Sequence, residues 1–266
     1  MHNMILILVQ ARMTSSRFPG KVLKEIQGKP VLIHQLDRIA QIKTKAKLVV
    51  ITSDHESDDQ LVQIVKENGY DVFRGSMDDL LDRHYQAALF YDAKVVVKIP
   101  SDCPLIDPDV IDKVLEYYLD NDSKFHFVSN LHPASYPDGN DVEVMSFSAL
   151  KNAWNHATKT LEREHTTPYF WENSHKFSIG NVQWETGLKL DMSHRFTLDY
   201  VEDFEFIKQV YDRLYPAKEN FSLPDILDLL DREPQLMRVN EMYAGVNWYR
   251  HHLDELKTID SSQTKL

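Results

Sequence analysis

The 266-residue sequence predicts an α/β chain built on a doubly wound, mostly parallel sheet with a mixed insertion. Two observations carry this. Apolar runs with no polar alternation stand at Met4 to Val9, Leu48 to Thr52 and Val95 to Ile99, as strands buried on both faces require, and amphipathic helical stripes separate them. A third observation points to function: polar segments follow the strands directly, at Gln10 to Lys21, Ser53 to Glu56 and Pro100 to Pro104. In such sheets ligands bind beyond the carboxyl ends of the strands.

The elements follow in order. After the first strand and its loop, apolar positions at Val31, Leu32, Leu36, Ile39 and Ala40 make a helical face. Ser57-Asp58-Asp59-Gln60 has the form of a capping box, and the helix it opens stops at Gly69. Tyr70 to Phe73 is a short strand and Met77 to Phe90 a helix. Asp107-Pro108 pairs an N-cap with a first-turn proline, starting a helix to about Leu119. Beyond Phe125 the pattern changes. Phe125 to Ser129, Val142 to Met145 and Phe177 to Val182 read as strands, and Ser148 to Ala157 and Glu162 to Trp171 as helices. Phe196 to Leu198 reads as a closing strand, Val201 to Leu214 as a helix, and Leu223 to Tyr249 as mostly helical with Ser222 as N-cap. The expected organisation is one domain over 1–256, made of a first half over 1–124, a mixed region over 125–195 and a part over 196–256 that closes the sheet. A disordered polar tail is expected at 257–266.

Hydrophobic residues are 42% and charged residues 27% of the chain, an ordinary soluble balance, and no apolar run reaches the ~20 residues of a membrane helix. A formal charge of -11 argues against nucleic acid or an anionic membrane as partner. The absence of a basic leader and the single cysteine, Cys103, fit a reducing cytoplasm. Against this acidic background the first thirty residues carry Arg12, Arg17, Lys21, Lys24 and Lys29, with Glu25 as their one acid. They form either a local anion site or a solvated basic surface.

The loop Gln10 to Lys21 offers Arg12, Ser15, Arg17 and Lys21 from one segment, and a triphosphate needs such convergent cations, hydroxyls and backbone N–H groups. It is neither a P-loop nor a glycine-rich dinucleotide turn, which weakens an NAD-dependent reading. Asp102 falls just past the third apolar strand, where a carboxylate can hold Mg²⁺ against a phosphate or simply cap a turn. Asp199, at the last strand-to-helix junction, is an N-cap, a metal ligand or both. Asp78 and Asp79 read as helix caps, and Arg83, one turn further in, could face a ligand. Asp138 to Glu143 and Glu162 to Pro168 are polar clusters in the mixed region. They make Asp141, Glu143, Glu162, Arg163 and His165, together with Arg195, the expected acceptor-side residues. His165 could serve as a base or a contact. No base adjoins Cys103, which argues against a nucleophile, and Tyr243, Trp248 and Tyr249 read as packing.

Six blocks in fixed order, QARMTSSRFPGKVL, TSD, RGSMDDLLDR, DCPLID, EREHTTPY and RFTLDYVEDFE, resemble the sugar-acid cytidylyltransferases. The likeness is to the acylneuraminate and 3-deoxy-manno-octulosonate type and to its spore-coat polysaccharide branch. The resemblance implies a nucleotide-diphospho-sugar transferase-like (Rossmann-like) three-layer sandwich. It implies CTP as donor bound by the half 1–124, an acceptor or dimerisation role for 125–195, Mg²⁺ held by Asp102 and Asp199, and commonly a homodimer. It implies a nucleotide site of Gln10, Ala11, Arg12, Ser15, Arg17, Lys21, Thr52, Ser53, Asp54, Arg74, Gly75, Arg83 and Ser101, with Lys21, Arg12 and Asp102 at the chemistry. The expected reaction carries CMP from CTP to a sugar acid or small phosphorylated acceptor. A non-catalytic nucleotide-binding subunit and another nucleotide donor are the alternatives. Tyr200 stands where the family often has Thr, and Ser101 where it often has Gly.

Overall fold

The apolar runs pair with one another as a parallel sheet. In a computed structural model that describes residues 4–265, β1 (Ile5–Gln10) lies between β4 (Lys47–Ser53) and β6 (Val95–Pro100), parallel to both, and β5 (Asp71–Gly75) adds to the far edge of β4. A separate two-stranded hairpin, β2 (Glu25–Ile26) with β3 (Lys29–Pro30), leads into α1 (Val31–Ile39). The crossovers are α2 (Asp59–Glu67), α3 (Leu80–Phe90) and α4 (Pro108–Leu119). The mixed region then continues the same sheet. β7 (Phe127–Ser129) and β8 (Glu143–Ser146) pair antiparallel, β8 pairs antiparallel with β6, and β9 (Ile179–Asn181) runs parallel to β7, giving the order β5-β4-β1-β6-β8-β7-β9. The remaining helices are α5 (Phe147–His156), α6 (Thr160–His165), α7 (Pro168–Trp171), α8 (Val201–Leu214) and α9 (Leu223–Arg232).

Strand alternation produces the three layers. Ile7 and Val9 of β1 face one core, with residues of α1, α4, α8 and α9, while Leu6 and Leu8 face the other, with residues of α3, α5 and α7. Both faces of the parallel strands are thereby dry, which explains why their sequence shows no alternation. No helix among the described residues is long and apolar enough to cross a membrane.

Several local expectations are corrected. Ser57 does not cap α2; a 3-10 turn at Glu56–Asp58 precedes the helix, and the His55 side chain accepts from the Ser57 N–H. Asp58 is drawn inward instead, accepting from Thr52, Ser53 and the Met13 N–H. The expected helix from Glu162 to Trp171 is two helices, because Thr166 turns to φ 70° between α6 and α7. Helix after Arg232 is limited to short 3-10 turns.

Phe196 to Leu198 does not form a strand. It crosses the sheet's end, with the Phe196 N–H on the Asp138 carbonyl (2.7 Å) and the Leu198 N–H on the Asp102 carbonyl (2.8 Å). The described residues of the expected tail, 257–265, pack back onto the domain. Leu256 and Ile259 are buried in the second core, and Thr264 is buried beside Gly245.

Two predictions follow from this packing. Gly139 sits at φ +103°, and a Cβ there would lie 2.7 Å from the Phe196 carbonyl carbon. Gly139→Ala should therefore cost about 2–4 kcal/mol from backbone strain and overpacking. The change is read as a lower urea midpoint at unchanged m-value.

His84 is fully buried, and burial, with Lys98 and Arg83 nearby, pushes its pKa down to about 3. The unfolded imidazole protonates near 6.5, so below that pH the unfolded state binds a proton that the folded state does not, and stability falls as pH drops. The raised carboxylates described below act in the opposite sense, so a difference measurement is needed. Between pH 6 and 4, His84→Leu should flatten the stability profile relative to wild type by about 1.4 kcal/mol per pH unit. Parallel profiles would refute the assignment.

Candidate active site

A cavity of about 640 Å³ opens beyond the carboxyl ends of β1 and β6. One wall is the loop after β1. Backbone bonds shape this loop: Ala11 N–H to the Ile51 carbonyl (3.0 Å), and Gly20 N–H to the Met13 carbonyl (3.0 Å) with Gly20 at φ +68°. Asp58 holds Met13 from below (2.8 Å). The result presents Arg12, Ser15, Arg17 and Lys21 to the cavity along with Gln10 and Ala11.

At the floor, Lys21 Nζ donates to the Leu198 carbonyl (2.5 Å) and to Asp199 Oδ1 (3.0 Å), and lies 3.7 Å from Asp102 Oδ2. Arg17 Nη2 reaches Asp199 Oδ1 at 2.7 Å, and its guanidinium stands 5.3 Å from the centroid of the Tyr200 ring. Tyr200 in turn stacks on Tyr243 at 3.8 Å. Burial pushes Asp199 up, but Lys21 and Arg17 outweigh it and hold the carboxyl at about 2. Asp102 is raised by burial and by Asp199, against the pull of Lys21. Arg12 makes no ion pair among the described residues and stays exposed on the cavity rim.

The other half of the cavity is acidic and aromatic. Asp138, Asp141 and Glu143 line it with His132, His165, Trp171, Trp248 and Tyr249. Glu143 is ion-paired with Lys98 of β6, and both are buried. Asp141 is raised to about 7 by burial, Asp102 and Glu143, and Asp138 is raised well above the usual range by burial and Asp141. Burial, reinforced by Lys98, depresses His165 to about 3, so its imidazole is neutral and a weak base at neutral pH. It stacks face to face on Trp248, ring centroids 3.9 Å apart. Cys103 is buried and its thiol raised well above the ordinary value, which removes it as a nucleophile.

Several residues expected at the site are elsewhere. Thr52 and Ser53 are buried with their hydroxyls donating to Asp58, and Asp54 is exposed with its N–H on the Gly75 carbonyl. Arg74 binds Asp59 and the carbonyls of Ser53 and His55 rather than the cavity. Gly75 packs against Arg83, which does line the cavity but spends its donors on the carbonyls of Ser76 and Met77. Glu162 caps its own helix through Thr158 and Lys159, and Arg163 is held by Asp79 and the Trp154 carbonyl, so neither reaches the cavity. Arg195 lines it, yet is 2% exposed and bonded to Asp203, Asp138 and Asp199. Ser101 lines it as expected.

The cavity is also lined by Lys98, His132 and Trp171, which the sequence did not single out, and by Trp248 and Tyr249, which pack against the second core as expected and face the cavity as well. Lys98 had a signal, a cation interrupting the apolar run Val95 to Ile99. The aromatic wall had none, since it assembles from distant segments.

The donor set suits a hard divalent cation. Asp102 and Asp199 both approach Lys21 Nζ, and Mg²⁺ needs only one or two carboxylates because it keeps its waters. Among the described residues no three His, Cys, Asp or Glu side chains converge as a metal site, which disfavours a closed structural one.

Comparison with known proteins fits this geometry. The cytidylyltransferase family model matches residues 6–225. The spore coat polysaccharide biosynthesis protein SpsF of Bacillus subtilis is 29% identical over 237 residues, covering 87% of this chain and 96% of that protein. A cytidylyltransferase structure from Leptospira borgpetersenii superposes with a TM-score of 0.83 at 32% identity, covering 89% of this chain and 97% of that one. The structure of a CMP:2-keto-3-deoxy-manno-octonic acid synthetase complexed with CTP has a TM-score of 0.62 at 18% identity, over 79% and 99% of the two chains, a likeness of fold. With the family model matched across most of its length, the chain belongs to the cytidylyltransferase family and is a CTP-dependent nucleotidyltransferase.

Proposed function

We propose that this enzyme transfers the cytidylyl group of CTP to a sugar acid or a small phosphorylated acceptor in surface glycoconjugate synthesis. The observation that carries the reading is the junction at Lys21, where the basic loop meets Asp102 and Asp199 between a cationic half-cavity and an acidic, aromatic one. The triphosphate lies against Arg12, Ser15, Arg17 and Lys21, whose charges match it. The acceptor occupies the half with Asp141, Glu143 and His165. An acceptor oxygen attacks the α-phosphorus, the bond to the β-phosphate's bridging oxygen breaks, and pyrophosphate leaves.

In this reading Lys21 stabilises charge that grows on the phosphates during transfer, which is the dominant contribution in such reactions. Asp102 and Asp199 would hold Mg²⁺, which would supply further charge neutralisation. Arg195 serves as a positioning residue for Asp199 rather than an acceptor contact. Neutral His165 contributes a hydrogen bond and a ring face. A phosphate acceptor needs no base, being ionised already, and gives a CDP-type product; a sugar acid attacking through a hydroxyl must give up that proton to a base as the bond forms, and gives a CMP-type product.

The test is pyrophosphate release with CTP, UTP or ATP against sugar acids and sugar phosphates. CTP should be preferred, and release should require an acceptor. CTP binding without acceptor-dependent release would leave only a nucleotide-binding subunit. Lys21→Ala should lower kcat/KM about 100-fold or more, equivalent to about 3 kcal/mol of transition-state stabilisation. Chelation should abolish turnover and added Mg²⁺ restore it. An Asp102→Ala enzyme with near-normal Mg²⁺-dependent turnover would refute the metal assignment.

A further inference from the structure

The family match ends at residue 225, yet the chain after it returns to the cavity. The segment from Gly245 to Lys265 forms a closed strap. At its root the Val246 carbonyl accepts from Arg195 Nη1 (3.0 Å), the guanidinium that also bonds Asp138 and Asp203. Its far end folds back onto that root. The Lys265 N–H meets the Gly245 carbonyl (2.6 Å), and the Asn247 N–H meets Thr264 Oγ1 (3.0 Å). Its middle is latched by one carboxylate. Glu172, just after α7, accepts from the N–H groups of Lys257 (2.9 Å) and Thr258 (2.9 Å) and from the Thr258 hydroxyl (2.5 Å). Leu256 and Ile259 beside the latch are buried.

The inner face of the strap lines the acidic, aromatic half of the cavity. Trp248, Tyr249, His252, Ser262 and Gln263 all contribute. Trp248 stacks on His165, and Tyr249 lies 6.1 Å from His132 and 6.4 Å from Trp171, ring to ring. Asp138, Asp141 and Glu143 line the same cavity, so the strap's rings share it with these carboxylates. The cations of the loop Gln10 to Lys21 meet none of the strap's side chains in an ion pair or ring contact. Flat aromatic faces with an amide and hydroxyls at their edges sort ligands by shape and hydrogen bonding rather than by charge.

We infer that this C-terminal strap is the acceptor-discriminating wall of the enzyme, held against the site by the Glu172 latch, while CTP is bound without it. The inference rests on the functional reading above. Specificity then resides largely in chain outside the span matched to the family, and the donor site within it.

The experiment uses the full-length enzyme with Trp248→Ala and, separately, Glu172→Ala, which alters no cavity-lining residue. CTP affinity in Mg²⁺ is measured by calorimetry. Turnover is measured with 3-deoxy-manno-octulosonate, N-acetylneuraminate and glucose 1-phosphate. Both variants should keep the CTP Kd within two-fold. They should raise the KM for the wild type's best acceptor at least 10-fold and shrink its kcat/KM advantage over the next. In Glu172→Ala, the amides of Lys257 and Thr258 should also exchange hydrogen faster. An unchanged acceptor KM, or a CTP Kd that rises as much as the KM, in a wild-type background that is active would overturn the strap alone. A wild-type enzyme that binds no CTP, or releases no pyrophosphate with any of the three, would overturn the functional reading and this inference with it.

Discussion

The structure turns on the meeting of Lys21 and Arg17 with Asp199. Lys21 comes from the loop after the first strand and Asp199 from the approach to α8, 178 residues later, so the contact ties the two ends of the matched domain together. It also fixes the floor of the cavity, because the same ammonium bonds the Leu198 carbonyl and approaches Asp102. Charge-assisted bonds of this kind are worth about 1.5–3 kcal/mol each. Removing Lys21 leaves two part-buried carboxylates facing each other with less compensation, which adds to the loss. The cations therefore hold the two carboxylates at the spacing at which they stand, and the carboxylates hold the loop open toward the cavity.

Behind that junction stands a second, drier one. Arg195 donates to both oxygens of Asp203 (2.9 and 3.0 Å), to Asp138 (3.3 Å) and to the Val246 carbonyl (3.0 Å). Asp203, fully buried, also accepts from the N–H groups of Asp199 and Tyr200 and from Asn240. A buried guanidinium survives only when its fork of donors is filled, and this one is filled by three segments of chain, around Asp138, Asp203 and Val246. Arg195 thus sets where Asp199 points, where the crossing segment runs and where the strap begins. A lysine would offer a point charge without the fork.

How much was legible follows from which forces are local. Two-sided burial writes itself into sequence as unbroken apolar runs, so β1, β4 and β6 stand within about one residue of where Met4 to Val9, Leu48 to Thr52 and Val95 to Ile99 placed them. Asp107 and Ser222 cap helices as their spacing indicated, because a cap needs only the next few residues. The TSD and RGSM segments misled in the opposite way. Thr52, Ser53 and Arg74 carry the right chemistry for a ligand, but Asp58 and Asp59 lie nearer and take their donors. Phe196 to Leu198 is apolar enough for a strand, yet the close pass at Gly139 leaves it no neighbour to pair with as a ladder.

By itself the sequence determined the layered fold, the basic loop and its place after the first strand, since hydrophobic periodicity and short-range turn chemistry need no partner to be read. The tertiary structure alone decided which charges are free and which are spent. Arg12 is left open, Arg163 is consumed by Asp79 far along the chain, Arg195 by Asp203 close by and by Asp138 at a distance, and Trp248 and Tyr249 both pack against the second core and face a cavity. The reason is that whether a group serves a ligand or the fold depends on its nearest partner in space, and for Arg163, Trp248 and Tyr249 that partner lies tens of positions away.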